Sequence, residues 1–210
     1  SIVHCWDNIG AIQFAPFCKL KKIIFLNSTI TSSRKVRRFS KRYFANATAY
    51  PFSDIILSNS QKALDRLYVP KHKQKVIYNG FNFNRINNLT PKEKVRIKFK
   101  IKEKFVIGMV GSFSWRKDFE TLIKSAKKVK SNCAFILVGD GPDYEKIKKI
   151  SNTLNLKNVY FFGKQTDVES IINLFDIGVM LSDIKNHEEG VSNVILEYMA
   201  LGKPVIATNC

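Results

Sequence analysis

Short apolar runs alternate with helical patterns through the C-terminal two-thirds of the sequence. Five apolar runs read as strands: Lys104–Val110, Cys133–Val138, Val159–Phe162, Asp176–Leu181 and Lys203–Ala207. The stretches between them carry apolar residues at helix spacing, as in residues 117–129. Apolar strands separated by helices are typical of parallel strands joined by crossovers. The pattern therefore predicts an α/β fold with a doubly wound parallel sheet.

The N-terminal part shows a similar but less complete pattern. Ile23–Leu26 and Asp54–Leu57 read as strands, and Val76–Tyr78 reads as a shorter strand closed by Asn-Gly. We place a domain boundary after this last strand, which divides the chain into domains 1–84 and 85–210.

Composition and charge limit the class of protein. The chain has 210 residues, of which 45% are hydrophobic and 25% charged, and this excludes a disordered or collagen-like chain. The net charge is +18 and is unevenly distributed: residues 1–84 carry 14 basic and 3 acidic side chains, a net +11, and the rest carries +7. A polyanion or an anionic membrane would therefore be attracted mainly to residues 1–84.

The cysteines and the apolar runs point to a cytoplasmic protein. Cys5, Cys18, Cys133 and Cys210 form no CxxC pair, so we expect free thiols in a reducing cytosol. No metal is expected, since the three histidines lack metal-ligand spacing. No apolar run approaches the ~18 residues of a membrane span. Both ends fall in strand-like sequence, so we expect a piece of a longer protein.

The segment 188–208, EEGVSNVILEYMALGKPVIAT, carries the most specific pattern. Glu189 and Glu197 are separated by seven residues, and the loop between Glu189 and Ser192 leads into a helix. The N–H groups at such a helix start bind phosphate, and Gly190 allows close backbone approach. Eight helical residues rise ~12 Å, roughly the reach of a diphosphate with a sugar at each end. The alternative is a surface helix with ordinary glutamates.

Five segments, in order, then carry a resemblance to a known family. They are VIYNGF (76–81), IGMVGSFSWRKDFETLIKSA (107–126), FILVGDGPDYEKIK (135–148), VYFFGKQTDVESIINLFDIGVMLS (159–182) and the 188–208 segment. Together they resemble the retaining GT-B glycosyltransferases of family 4. The resemblance implies two Rossmann-like domains with parallel sheets, both incomplete here. Residues 1–84 would be the C-terminal part of the acceptor-side domain, and 85–210 most of the nucleotide-sugar-binding domain.

The resemblance also implies a role for each matching residue. Glu189 would contact the donor sugar, Glu197 the ribose, and Lys117 the diphosphate, where a cation helps the leaving group depart. Glu189 and Lys117 are thus the expected catalytic residues. The other residues expected at the donor are Gly111, Ser112, Arg116, Gly163, Lys164, Gln165, Gly190, Val191, Ser192 and Asn193. Of these, residues 190–193 would present backbone N–H groups to the diphosphate, and residues 163–165 would lie beside the base of the nucleotide.

The sequence departs from the family pattern at two places. The family often has an arginine directly after the glycine of the first loop, where this chain has Ser112, and Arg116 is the candidate substitute. The family often has a histidine after an N-domain strand, but the comparable stretch here, residues 25–29, has none. Asn27 in that stretch can hydrogen-bond a sugar but cannot act as a base.

The basic segment 34–44 interleaves cations with Val36, Phe39, Tyr43 and Phe44 at roughly helical spacing. Three interpretations stay open. The segment is a helix on an anionic membrane near a lipid-linked acceptor, a solvated basic face packed by its aromatics, or a nucleic-acid-binding surface.

The resemblance implies a metal-independent hexosyltransferase without cofactors that acts with retention of configuration. Its donor would be a UDP or GDP sugar, and its acceptor a glycan or a lipid-linked glycan in surface or extracellular polysaccharide synthesis. We expect it in the cytoplasm or peripherally at the inner membrane face, with no nucleic-acid partner. One alternative is a nucleotide-sugar-binding module without transfer activity, and a less favoured one is a basic nucleic-acid-binding protein.

Overall fold

The computed structural model describes residues 1–28, 36–129, 131–183 and 192–209, with the side chains of Asn8 and Arg42 left out. The described residues form two compact units that divide between Asn79 and Gly80. Each unit is built around its own parallel sheet.

The first unit alternates strands and helices around a four-stranded sheet. Its elements are β1 Ile2–Cys5, α1 Asn8–Leu20, β2 Ile24–Ser28, α2 Lys41–Ala47, β3 Ile55–Ser58, α3 Gln61–Arg66 and β4 Gln74–Val76. The strand order is β1-β2-β3-β4, and each described pair is parallel. The predicted strands near residues 23–26 and 54–57 are confirmed, and the one predicted at 76–78 begins two residues earlier.

Asn27 in β2 belongs to the interior of the first unit. Its side chain is 1% exposed, and its amide lies 3.4 Å from the hydroxyl of Ser53, to which it donates. The polar role toward a sugar that we considered for Asn27 therefore finds no support, because the side chain is enclosed by its own unit.

In the described part of the basic segment 34–44, the helix begins only at Lys41. Arg34 and Lys35 lie outside the described residues. Phe39 adopts the left-handed backbone conformation, with φ 63°. Ser40 then caps α2 by accepting a hydrogen bond from the backbone N–H of Tyr43 at 3.2 Å. The expected helical spacing is therefore wrong for the described residues 36–40, because the chain turns at Phe39.

The second unit is a doubly wound sheet, as the sequence pattern predicts. Its elements are α4 Lys92–Phe99, β5 Phe105–Val110, α5 Phe119–Lys128, β6 Cys133–Val138, α6 Tyr144–Thr153, β7 Val159–Gly163, α7 Val168–Leu174, β8 Ile177–Met180, α8 Asn193–Ala200 and β9 Val205–Ala207. The strand order is β7-β6-β5-β8-β9, with each described pair parallel. The five predicted strands are confirmed, with ends that differ by no more than two residues.

Both faces of this second sheet are covered, which explains why β6 is apolar and buried along its whole length. Phe135 and Leu137 face the cluster that includes α5 and α6. Ala134, Ile136 and Val138 face the cluster that includes α7 and Tyr198 of α8. This alternation follows the two-residue period of a strand.

The segment after the last strand of the first unit lies with the second unit. We expected residues 80–84 in the first domain, but the short 3-10 helix Phe83–Ile86 contacts α7. Arg85 in this helix forms ion pairs with Glu169 of α7 and Glu197 of α8, and these contacts attach the helix to the second unit. The assignment of the two domains to the acceptor and the donor stays a prediction.

Candidate functional site

The strand order of the second sheet locates a crevice. From β5 the chain runs to β6 and β7 on one side, and then returns to add β8 and β9 on the other. In doubly wound sheets, ligands bind beyond the carboxyl ends of the strands, where the order reverses. Here that point lies between the ends of β5 and β8.

Glycines let the loops after β5 and β6 approach closely at this edge. Gly139 has φ +132°, and a Cβ on it would collide with the carbonyl oxygen of Gly111. The N–H of Gly111 donates to Val138 at 3.0 Å, and the N–H of Gly139 donates to Gly163 at 2.9 Å. The ends of the three strands are thus tied together with little side-chain bulk between them.

A cavity of about 430 Å³ opens at the same edge. Its lining includes Gly111, Ser112, Lys164 and Gln165, four of the residues expected at the donor. The Gln165 side-chain amide donates to the carbonyl of Phe162 at 2.5 Å, which holds this side chain against the end of β7. A cavity of this volume is within the range of small-molecule sites.

Lys117 lies at the point where the strand order reverses. Its backbone pairs with Ser182, which follows β8, and its Nζ lies 3.5 Å from the sulfur of Met180. The same side chain also lies beside Gly111, since a Cβ built there would be 3.7 Å from Lys117 Cγ. Arg116, in contrast, is exposed, with its guanidinium carbon 5.6 Å from the ring centre of Trp115. The cation that the structure brings to the junction of β5 and β8 is therefore Lys117.

Lys117 also lines a second cavity, of about 710 Å³, together with Asp118, Ser182, Asp183 and Thr208. This cavity takes in the starts of α5 and α6 and the loop after β8. Lys117 therefore lines this second cavity and is not part of the lining of the first.

Helix α8, which follows β8 in the chain, begins at this edge of the sheet. Ser192 is its N-cap residue, in an extended conformation, but its side chain makes no capping hydrogen bond. The first turn, which begins at Asn193, contains no acidic residue. The N–H groups of a helix start attract anions. Glu189, Gly190 and Val191, which precede this start, lie outside the described residues.

Tyr198 anchors α8 to the junction of β5 and β8. Its side chain is fully buried, and a Cβ on Gly178 would lie 2.5 Å from its ring. The hydroxyl accepts from the N–H of Val110 at 2.9 Å and lies 3.3 Å from the carbonyl of Val179, to which it donates. Since these two backbone groups belong to β5 and β8, one side chain bridges the two strands where their order reverses.

Glu197 precedes this anchor and is buried, with 9% of the residue exposed. Its Oε1 lies 3.1 Å from Nη2 of Arg85, and the same nitrogen contacts Oε1 of Glu169 in α7. Burial raises the pKa of the Glu197 carboxyl, and the charge and hydrogen bond of Arg85 oppose that rise. Arg85 and Glu169 were not predicted. They carry no local sequence signal, because Arg85 and Glu197 are 112 residues apart.

Among the described residues, no three His, Cys, Asp or Glu side chains come together as metal ligands. Gly163 ends β7 in the left-handed conformation, with φ +64°, next to Lys164 of the first cavity. The described donor candidates therefore divide into the cavity after β5 to β7, Lys117 at the junction, and the start of α8 with Glu197. Arg116 stands apart from these groups on Trp115.

The structure is similar to solved glycosyltransferases of the GT-B class, so the fold is GT-B-like. A crystal structure of HepE from Anabaena in complex with UDP matches with a TM-score of 0.85 and 22% sequence identity, over 99% of this chain and 59% of HepE. At this identity the likeness concerns the fold.

The chain belongs to the family of glycosyl transferases group 1, whose family model matches residues 104–210. The uncharacterised glycosyltransferase MJ1059 of Methanocaldococcus jannaschii is 29% identical over 90% of this chain and 48% of its own length. The lipopolysaccharide core biosynthesis glycosyltransferase LpsD of Rhizobium meliloti is 34% identical over 60% of this chain and 36% of its own length. The chain spans about half the length of the first of these relatives.

Proposed function

We propose that the chain carries the donor site of a retaining glycosyltransferase, which moves a sugar from a nucleoside diphosphate to a hydroxyl of a glycan or lipid-linked glycan. The observation that carries this proposal is the meeting of three features at one edge of the second sheet. They are the glycine-lined cavity, Lys117 between β5 and β8, and the start of α8 without a side-chain cap.

In this proposal the diphosphate lies at the start of α8. Backbone N–H groups of residues 190–193 bind its oxygens, and Lys117 neutralises the charge that develops as it leaves. Glu189 binds hydroxyls of the transferred sugar. Glu197 binds the ribose, since a carboxylate accepts strong hydrogen bonds from hydroxyls.

The base binds in the cavity after β5, β6 and β7. Lys164 and Gln165 line it after β7, where Gly163 ends the strand, and Gly111 and Ser112 line it after β5. Arg116 would have to leave Trp115 to reach the phosphates, so we give Lys117 that role. The donor is of the UDP or GDP type, and the HepE complex with UDP makes UDP the first nucleotide to test.

The anomeric configuration is retained when the leaving diphosphate oxygen and the attacking acceptor oxygen lie on the same face of the sugar. The bond from the anomeric carbon to the diphosphate oxygen breaks, and the acceptor oxygen bonds to that carbon on the same face. The acceptor's proton passes to the departing phosphate oxygen. The step needs no metal, because Lys117 and the helix start stabilise the leaving diphosphate.

The setting we propose is surface or extracellular polysaccharide synthesis at the cytoplasmic face of a membrane. The lipopolysaccharide role in the name of LpsD supports the class of product. Phe39 and Phe44 are 69% and 54% exposed, and the Arg38 guanidinium lies 5.4 Å from the ring centre of Phe39, a composition suited to an anionic surface. No helix in the described part of the chain is long and apolar enough to cross a membrane.

A second candidate is a nucleotide-sugar-binding module without transfer activity. Ser112, in the place of the family's arginine, borders the cavity and supplies no positive charge. Release of free nucleoside diphosphate in the presence of acceptor separates the two candidates, since a binding module would not release it.

Binding of UDP to a Lys117→Met variant tests the diphosphate role. A hydrogen bond to a charged group contributes about 1.5–3 kcal/mol, so we expect UDP affinity to fall roughly tenfold to 100-fold. Uridine, which lacks the diphosphate, should bind Lys117→Met and the unmodified chain equally.

The matched control is Lys127→Met, which removes an exposed lysine of α5 and should leave both ligands unaffected. Equal UDP affinity in Lys117→Met and in the unmodified chain would contradict the proposal. An equal loss for UDP and uridine would also contradict it, because the effect would then not depend on the diphosphate.

A further inference from the structure

Two buried carboxylates on neighbouring helices share one guanidinium in the second unit. Glu169 of α7 and Glu197 of α8 are 5% and 9% exposed. Nη2 of Arg85 contacts Oε1 of Glu169 and lies 3.1 Å from Oε1 of Glu197. The guanidinium carbon of Arg85 also lies 5.4 Å from the ring centre of Phe81. One cation from a short 3-10 helix thus holds two acids from two other elements.

This arrangement is costly unless the arginine is present. Burial disfavours an ionised carboxylate, and a second carboxylate close by disfavours it further. Both effects raise the pKa of Glu197, while Arg85 lowers it. Among the described residues, Arg85 on the 3-10 helix and Glu169 on α7 are the charged groups that act on the Glu197 carboxyl.

The direction of the Glu197 carboxylate also depends on Arg85. The anchor of Tyr198 fixes the backbone of α8 at the strand junction, but it does not orient the neighbouring side chain. The guanidinium is a planar donor that holds a carboxylate oxygen in a defined direction. A carboxylate has two oxygens and about four acceptor positions, so a contact through Oε1 leaves capacity for other donors.

We propose that Arg85, through its bridge to Glu169 and Glu197, is a positioning residue of the nucleotide site that keeps the Glu197 carboxylate ionised and oriented toward ribose hydroxyls. The inference rests on the proposed function, in which Glu197 binds the ribose. Arg85 itself touches neither the sugar nor the phosphates in this account. Its effect on binding is therefore transmitted through the protonation state and direction of one acid.

The pH dependence of UDP binding to an Arg85→Met variant tests this role. Loss of the cation removes the influence that lowers the pKa of Glu197, so the acid takes up a proton at higher pH. We expect UDP affinity to decline as pH falls, with a midpoint at higher pH than that of the unmodified chain. Above both midpoints the two proteins should differ by only a few-fold.

Three further variants separate positioning from general support of the fold. Arg85→Lys keeps the charge and should keep the midpoint of the unmodified chain. Arg85→Met combined with Glu169→Gln removes the repelling carboxylate and should return the midpoint part of the way. Glu197→Gln cannot titrate at this position, so its profile records every other titrating group, including the UDP phosphate, and serves as the baseline for the others.

An unchanged midpoint in Arg85→Met would overturn the inference, and so would an equal loss of affinity at every pH. If Arg85→Met does not fold, the single variant Glu169→Gln is compared with the double variant Glu169→Gln and Arg85→Met. Both lack the second acid, and the double variant, which also lacks the arginine, should have the higher midpoint. If Glu197→Gln binds UDP as well as the unmodified chain, the proposed function fails at Glu197. If Glu197→Gln weakens binding but Arg85→Met leaves the midpoint in place, the inference about Arg85 alone fails.

Discussion

Tyr198 shows how one side chain sets the geometry of the crevice. Its ring packs on Gly178, where a Cβ would lie 2.5 Å away, and its hydroxyl connects the backbones of β5 and β8. The two strands are in register up to the pair of Met109 and Val179. The tyrosine therefore provides hydrogen bonds where the ladder between the two strands ends. It also attaches α8 to the ends of β5 and β8, where the crevice begins.

Replacement of Tyr198 by Phe should destabilise the second unit by about 1–3 kcal/mol, because the buried N–H of Val110 loses its acceptor. Denaturant unfolding measures this difference. The control is Tyr78→Phe, which removes the same hydroxyl from a side chain that is 70% exposed and should change stability by less than about 0.5 kcal/mol. Equal stability of Tyr198→Phe and the unmodified chain would show that the bridge between β5 and β8 contributes little.

The single residues of the site differ in how far sequence could identify them. Lys117 and Ser192 were proposed because they match positions in the motifs of the family that the sequence resembles. Arg85 and Glu169 could not be found in this way, since their contacts join segments far apart in the chain. The burial of Asn27 was not visible in the sequence either, since Ser53, to which its amide donates, is 26 residues away.

At the scale of elements, α8 differs from other helices of its unit. Asp118 caps α5 and Asp167 caps α7, and each of these helices has a glutamate in its first turn. Helix α8 has neither a side-chain cap from Ser192 nor an acidic first turn. A helix start of this kind suits an external anion, whereas the starts of α5 and α7 already carry negative charge.

A Ser192→Asp variant should separate helix stability from anion binding. The new carboxylate can cap α8 and raise the free energy of unfolding by up to about 1 kcal/mol. The same negative charge should repel the diphosphate and weaken UDP binding at least tenfold.

Ser192→Ala is the control for this pair of measurements. Since Ser192 makes no side-chain capping bond, alanine should change stability by less than about 0.5 kcal/mol and leave UDP affinity nearly unchanged. UDP binding to Ser192→Asp as tight as to the unmodified chain would contradict a diphosphate site at this helix start.

The elements of the two units were not equally predictable. Strand β6 is bounded by turns and buried on both faces, so its continuous apolar run is visible in the sequence. Helix α1 was missed because its apolar residues lie all round it: Ala11 and Ala15 are buried, while Ile9 and Phe17 are 70% and 54% exposed. Because apolar residues lie on all sides of this helix, the sequence shows no helical alternation of an apolar and a polar face.

At the scale of the whole molecule, the order of the strands determines where the donor candidates lie. Parallel strands separated by helices were predictable from the alternation of apolar runs, and the reversal of strand order at β5 follows from the way in which these strands assemble. That reversal gathers residues from loops more than 60 positions apart, such as Lys117 and Ser182. The positions of the donor candidates thus come from the sheet order, while their chemistry was visible in the motifs.

The central claim is that the second unit binds a nucleoside diphosphate with the help of Glu197. Calorimetric titration of the chain with UDP, GDP and ADP, each repeated with Glu197→Ala, tests it most directly. We expect one of the three nucleotides to bind with a clear preference and Glu197→Ala to abolish this binding. Binding of none of them, or binding that is as tight in Glu197→Ala as in the unmodified chain, would contradict it.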